Sequence, residues 1–105
     1  MQDIQVNLPM DVITAFCRKW KIEELALFGS VLRKDFGPDS DIDLLASFAD
    51  DADWSLLDHA RMELELKVIL GREVELLTRS AVERSANPIR KREILKTARR
   101  IYRAA

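Results

Sequence analysis

Apolar positions along the chain recur at two spacings, one typical of helices and one typical of strands. In residues 9–20 and 88–103 they return every three or four residues, which predicts helices. In residues 41–48 and 73–78 apolar and polar side chains alternate, which predicts strands with two different faces. The predicted elements, in chain order, are a helix over 9–20, a strand over 24–28, one or two helical turns over 30–35, a tight turn over 37–40, a strand over 41–48, a helix over 54–70, a strand over 73–78, a short helix opening at Ser80, and a helix over 88–103.

Capping residues mark where two of these helices begin and end. Asp53 can cap the helix over 54–70, and Gly71 can end it, since glycine readily adopts the left-handed conformation that follows a helix. Ser80 and Glu83 have the spacing of a capping box. These positions predict a long central helix and a short one after the third strand.

The order of the elements predicts the fold class. Helices alternating with three short strands indicate a two-layer α/β domain of α+β-like character, with a small three-stranded mixed sheet. A chain of 105 residues has the size of one compact domain, so we expect a single domain over 1–105. We also expect the three long helices to cover one face of the sheet and to leave Asp41 and Asp43 on an open face.

The helix over 54–70 is apolar on two sides, which a helix that packs on one sheet does not need. One stripe should cover the sheet. The other either packs under the C-terminal helix or forms an interface with a protein partner or a second copy of the chain. The first stripe consists of Leu57, Ala60, Leu64 and Val68, and the second of Met62, Leu66 and Ile69.

Charge is balanced overall but unevenly distributed. The formal net charge is -1, with eight Asp and no Lys or Arg in residues 35–58 and nine Lys or Arg against two Glu in residues 79–105. A basic segment of this kind is typical of a solvated helix face, and its only aromatic residue, Tyr102, belongs to the apolar stripe. We therefore expect no nucleic-acid partner.

Hydropathy and cysteine content favour a cytoplasmic protein. No apolar run approaches the roughly 20 residues that cross a bilayer, and the N-terminal residues lack the layout of a signal peptide, so no membrane partner is expected. The lone cysteine, Cys17, lies on the apolar stripe of the first helix, where a small core residue is more common than a nucleophile. A reducing cytoplasm fits these features.

Two carboxylates interrupt the apolar strand over 41–48. Asp41 and Asp43 are two residues apart, so they are about 6.6 to 6.8 Å apart along the strand and on the same face. A hard cation between them relieves their repulsion. Mg²⁺ suits such a pair, because it accepts one or two protein carboxylates and completes its coordination with water and phosphate oxygens.

Residues on both sides of this pair suggest phosphoryl chemistry. Glu75, in the next strand, is the candidate third carboxylate of a site that clamps the attacking and leaving oxygens of an in-line displacement. Gly29 allows a close backbone approach, the Ser30 hydroxyl can bond a phosphate oxygen, and Arg33 can neutralise phosphate charge. Neither a P-loop nor a Rossmann glycine motif is present.

The segment GSVLRKDFGPDSDIDLL resembles the signature of the polymerase-beta-type nucleotidyltransferase superfamily. The short chain and the tail GREVELLTRSAV…REILKTARRIY are similar to its minimal nucleotidyltransferase branch. The resemblance covers about residues 24–103 and implies the nucleotidyltransferase fold. From the residue types and from this resemblance, we expect the nucleotide to be bound by Gly29, Ser30, Arg33 and Ser40. Mg²⁺ binding and catalysis are expected of Asp41, Asp43 and Glu75.

The resemblance also implies an activity and a partner. Many minimal proteins of this kind pair with a helical HEPN-type ribonuclease toxin and act as its antitoxin, and in that pairing they can transfer AMP from ATP to a tyrosine of the toxin. The family usually has Asp where this chain has Glu75. Glutamate is one methylene longer, which moves its carboxylate outward by more than the displacement of about 0.5 Å that catalytic geometry tolerates. A catalytically weak, nucleotide-binding antitoxin that neutralises its toxin by contact therefore stays open as the alternative, as does a homo-oligomer.

Overall fold

The computed structural model describes residues 8–32, 37 and 40–104, with Ser30 and Val31 described by their backbone alone. The described elements, in chain order, are helix α1 (Met10–Lys19), strand β1 (Ile22–Phe28), a 3₁₀ turn (Gly29–Leu32), strand β2 (Ile42–Phe48), helix α2 (Leu56–Leu70), strand β3 (Val74–Thr78), helix α3 (Arg79–Glu83), helix α4 (Pro88–Thr97) and strand β4 (Arg99–Arg103). Each of the three predicted strands and the first two long helices is therefore confirmed. No helix in the described part of the chain is long and apolar enough to cross a membrane.

The sheet is mixed, with strands in the order β3-β2-β1-β4. Strand β1 pairs antiparallel with β2 and β4, and β2 pairs parallel with β3. The α/β class and the mixed sheet are confirmed, but the prediction of three strands was wrong. The chain leaves the helix at Ala98, where ψ is 134°, and residues 99–103 pair with β1 as a fourth strand.

The reason for the extra strand is the open edge of β1. Without β4, the hydrogen-bonding groups of β1 on that side would be unpaired. Ile101 and Tyr102 pack against the main core from β4, and Leu25 lies opposite Tyr102. Their positions in the sequence fit the spacing of a helix as well, so periodicity alone could not separate the two structures.

Helices α1 and α2 cover the first face of the sheet. Alternate residues of β2, Ile42 and Leu44, point into this core, where Met62 and Leu66 of α2 are fully buried. Cys17 is also buried there, and burial raises the pKa of its thiol to about 12. The prediction that Cys17 is a core residue is confirmed.

The second face carries α3 and α4, so the expectation of an open face was wrong in part. Phe28 and Leu45 of the sheet form a smaller buried cluster with Val82 of α3 and Ile94 of α4. Since β4 replaces the end of the predicted last helix, α4 is short and covers only part of this face.

The two stripes of α2 have different environments. The stripe with Met62 and Leu66 packs on the sheet, whereas Leu57, Leu64 and Val68 are exposed by 70%, 64% and 83%. The suggestion that this exposed stripe packs under the C-terminal helix was wrong, because α4 lies on the opposite face of the sheet. Its use as an interface stays a prediction.

Two helix caps also differ from the prediction. Ser55 caps α2, where its hydroxyl accepts from the Asp58 amide in a reciprocal capping box, so Asp53 is not the cap. Thr78 caps α3 in place of Ser80. Helix α2 therefore begins two residues later than predicted, whereas α3 begins before Ser80. Gly71 ends α2 with a left-handed φ of 69°, as predicted.

Candidate active site

The candidate site begins where β1 ends beside β2. Phe28, the last residue of β1, is the register partner of Asp43, and Gly29, which follows it, lies against the Asp43 side chain. Gly29 has a φ of +76°, and a Cβ atom at this position would collide with Asp43 Oδ2 and lie 3.3 Å from its Cγ. Glycine is therefore required both by the backbone conformation and by the carboxylate above it.

Asp41 and Asp43 lie at the start of β2. Asp41 directly precedes the strand and is exposed, and Asp43 lies within it and is half-buried. Because β2 alternates, Ile42 and Leu44 enter the main core, and Asp43 and Leu45 lie on the second face. The predicted orientation of Asp43 is confirmed.

Strand β3 brings Glu75 beside Asp43. The two residues are register partners in the parallel pair β2–β3, and Val74 and Leu76 on either side of Glu75 pack into the main core. Glu75 therefore belongs to the second face, as the sequence predicted. Its carboxylate lies 3.6 Å from a guanidinium nitrogen of Arg90 on α4.

Asp41 and Asp43 are the two carboxylates at the start of β2 that could hold Mg²⁺. No group of three His, Cys, Asp or Glu side chains within residues 8–32, 37 and 40–104 is arranged to hold a metal ion. Mg²⁺ needs only one or two carboxylates from the protein when substrate phosphates supply the rest. Because Gly29 has no side chain, only its backbone lies beside the Asp43 carboxylate.

A cleft of about 920 Å³ opens above Asp43 and Gly29. Helix α4 forms its opposite wall, and its contribution was missed by the sequence reasoning. The cleft is lined here by the N-cap Asn87 and, within α4, by Ile89, Arg90, Glu93, Ile94 and Thr97. Several of them recur every three or four residues, so a mixed polar stripe on this helix was the signal that could have identified the wall.

The predicted nucleotide-binding residues are only partly described. Arg33 and the side chain of Ser30 lie outside the described residues. The Ser40 hydroxyl accepts from the Gly37 amide at 3.0 Å, and the Ser40 amide donates to the Gly37 carbonyl at 3.1 Å. The predicted tight turn is thus present at these two residues, and the Ser40 hydroxyl bonds within it.

Arg72 fastens this turn and was not identified from the sequence. One nitrogen of its guanidinium donates to the carbonyl oxygens of Gly37 at 2.7 Å and of Ser40 at 3.2 Å. Since Asp41 follows Ser40 directly, this contact fixes the backbone from which the first predicted metal ligand projects. Arg72 lies just after α2 and before β3, so no motif in the sequence links it to the turn.

Comparisons with known proteins find related sequences. A family model described as a nucleotidyltransferase domain matches residues 10–101. The chain is 36% identical over 80 residues to a candidate protein adenylyltransferase of Methanocaldococcus jannaschii, which covers 76% of this chain and 80% of the relative.

Two solved structures are similar in fold. A candidate minimal nucleotidyltransferase is 31% identical, with a TM-score of 0.63 and 84% of each chain covered. An antitoxin of the minimal nucleotidyltransferase type, in complex with a tri-AMPylated HEPN toxin of Shewanella oneidensis, is 21% identical, with a TM-score of 0.60, and the match covers 90% of this chain and 69% of that one. At its lower identity, the second likeness shows the fold alone.

Proposed function

We propose that this chain, which belongs to the family of nucleotidyltransferase domains, transfers AMP from ATP to a tyrosine hydroxyl of a HEPN-type toxin and so acts as its antitoxin. The observation that carries the proposal is the close approach of Gly29 to the Asp43 carboxylate in the lining of a cleft of about 920 Å³, with Glu75 as the register partner of Asp43 on the neighbouring strand. A protein acceptor for AMP is supported by the relative named as a protein adenylyltransferase and by the AMPylated HEPN complex.

Asp41 and Asp43 would hold Mg²⁺, and Gly29 would let the triphosphate approach the backbone at the end of β1. Bound Mg²⁺ supplies charge neutralisation for the phosphates and orientation of the leaving group. The other contribution of the chain is to position the reactants, and positioning together with charge neutralisation supplies most of the catalysis of phosphoryl transfer.

The transfer step balances as an in-line displacement. The tyrosine oxygen forms a bond to the α-phosphorus, and the bond from that phosphorus to the bridging oxygen breaks. Pyrophosphate leaves with the electron pair of that bond. The phenolic proton passes to the Glu75 carboxylate, which lies beside Asp43 and is about half exposed, so it can receive a proton and release it to water.

The test is the intact mass of the HEPN-type protein of the same genome after incubation with this chain, ATP and Mg²⁺. We expect the mass to increase by one or more AMP units, on a tyrosine identified by peptide fragmentation. Replacement of Mg²⁺ by EDTA should abolish the increase. An increase of the same size in EDTA would contradict the metal requirement, and AMP on another residue type would contradict the acceptor.

A second function is favoured by one observation. Glu75 pairs with Arg90, and no three acidic side chains of the described residues converge on one point. A protein that binds nucleotide but turns it over slowly, and that neutralises the toxin by contact, would have this arrangement. In the same experiment it would give a stable complex with an inhibited toxin whose mass is unchanged.

A further inference from the structure

We infer that Arg90 is a binding residue for the nucleotide phosphates, held by Glu75 until the nucleotide enters. The inference rests on the proposed function, since it names a further residue of the same site. Arg90 lies in the first turn of α4, after the N-cap Asn87, and lines the cleft opposite Gly29 and Asp43.

The position of Arg90 is fixed relative to the floor of the cleft. Its backbone amide donates to the Asn87 side chain at 3.1 Å, which fixes the start of α4. One turn later Ile94 is buried against the sheet with Phe28 and Leu45. The long side chain of Arg90 therefore projects from a rigid base, as a residue that positions a ligand requires.

The charge of the cleft calls for a cation. Among the described residues that line it, Asp43 and Glu93 are acidic, and Arg90 is the one basic side chain. A nucleotide triphosphate brings several further negative charges. The guanidinium group presents a planar fork of donors that matches phosphate oxygens, and hydrogen bonds to phosphate are among the strong ones.

The present partner of Arg90 is easily exchanged. Its guanidinium lies 3.6 Å from the Glu75 carboxylate, beyond good hydrogen-bonding distance, and the two side chains are 58% and 51% exposed. Ion pairs with this exposure contribute little to stability, so separating the pair costs little. When the nucleotide binds, Arg90 would leave Glu75 and bind the phosphates. The Glu75 carboxylate would then be able to turn toward the reacting atoms.

Binding of ATP, measured by calorimetry, tests the role of Arg90. We expect Arg90→Ala to weaken ATP binding by about 10-fold or more and AMP binding much less, with Arg90→Lys recovering part of the loss, because a single charge replaces the fork. The matched control is Arg92→Ala, an exposed arginine of the same helix that does not line the cleft. Equal ATP affinities of Arg90→Ala, Arg92→Ala and the unmodified chain would overturn the inference.

ATP binding measured in EDTA, without metal, tests whether Arg90 exchanges Glu75 for the nucleotide phosphates. Glu75→Gln should tighten ATP binding severalfold, because it frees Arg90 and removes a negative charge. The gain attributable to Arg90 should disappear in the double variant with Arg90→Ala. An equal gain in both backgrounds would refute the holding role. Failure of the unmodified, folded chain to bind ATP in the presence of Mg²⁺ would instead overturn the proposed function, and the inference with it.

Discussion

The two faces of the sheet differ in how completely helices cover them. On the first face, α1 and α2 close over a continuous core that includes Leu66 of α2. On the second face, a smaller cluster around Leu45 lies beside an open cleft with Asp43 at its floor. Because neighbouring residues of one strand point to opposite faces, substitutions one position apart should affect stability on one face and chemistry on the other.

The largest effect should come from removing the charge at the floor of the cleft. Asp43→Asn should lower AMP transfer by about 10²-fold to 10³-fold, the scale seen when one electrostatic contact to the reacting groups is lost. Its thermal midpoint should be nearly unchanged. The exposed Asp53→Asn is the control and should transfer normally. Label transfer from α-labelled ATP measures both, and unaltered transfer by Asp43→Asn would refute its assignment.

The first face should respond in stability alone. Leu66→Ala removes a fully buried side chain and should cost about 2 to 5 kcal/mol of unfolding free energy in urea titrations. Leu64→Ala, on the same helix but 64% exposed, should change it by less than about 0.5 kcal/mol. A similar cost for both variants would show that the exposed stripe is covered in solution and would support an interface there.

Gly29 affects both stability and AMP transfer, so its substitution should lower both. Gly29→Ala forces a side chain into a positive φ and against the Asp43 carboxylate, which should cost about 1 to 3 kcal/mol and displace Asp43. Transfer should then fall more than the loss of folded protein explains. Gly71→Ala has a similar φ of +69° but no atom within 4 Å, so it should cost about 1 kcal/mol and leave transfer intact. Equal transfer by the two variants would contradict the steric account.

The smallest effect concerns the outer edge of the first face. Burial raises the pKa of Glu65, but hydrogen bonds from Lys19 and Trp20 outweigh it, so the pKa lies below its ordinary value of 4.5. A lowered pKa contributes stability at neutral pH that is lost as the pH falls through the folded-state value. Glu65→Gln should therefore be less stable than the unmodified chain by up to about 1 kcal/mol at pH 7, and the difference should shrink as the pH falls below 4.5. A difference that grows as the pH falls would contradict this sign.

Local patterns predicted β1, β2, β3 and the floor of the site, because these depend on neighbours along the chain. Alternation alone separates Asp43 from Ile42 and Leu44, and it places Glu75 on the same face as Asp43. Gly29 follows the end of a strand, where glycine was predicted to allow a close backbone approach, and there it lies against Asp43. These are properties that a sequence encodes within a few residues.

The second face could not be predicted, because it depends on contacts between distant segments. Residues 99–103 fit a helix by spacing, and only the unpaired edge of β1 makes them a strand. Once β4 takes those residues, the shortened α4 packs on the opposite face through Ile94 and brings Arg90 to the cleft. Arg72 likewise meets the turn before Asp41 only in the folded chain.

The central claim is that the Asp41–Asp43 segment and Gly29 hold a metal-bound nucleotide, and a crystal structure with Mg²⁺ and a nonhydrolysable ATP analogue tests it most directly. We predict Mg²⁺ bound to carboxylate oxygens of Asp41 and Asp43 at about 2.0 to 2.1 Å, with triphosphate oxygens completing its coordination beside Gly29. Nucleotide in the cleft with both aspartates free of metal, or nucleotide bound elsewhere on the chain, would contradict the account.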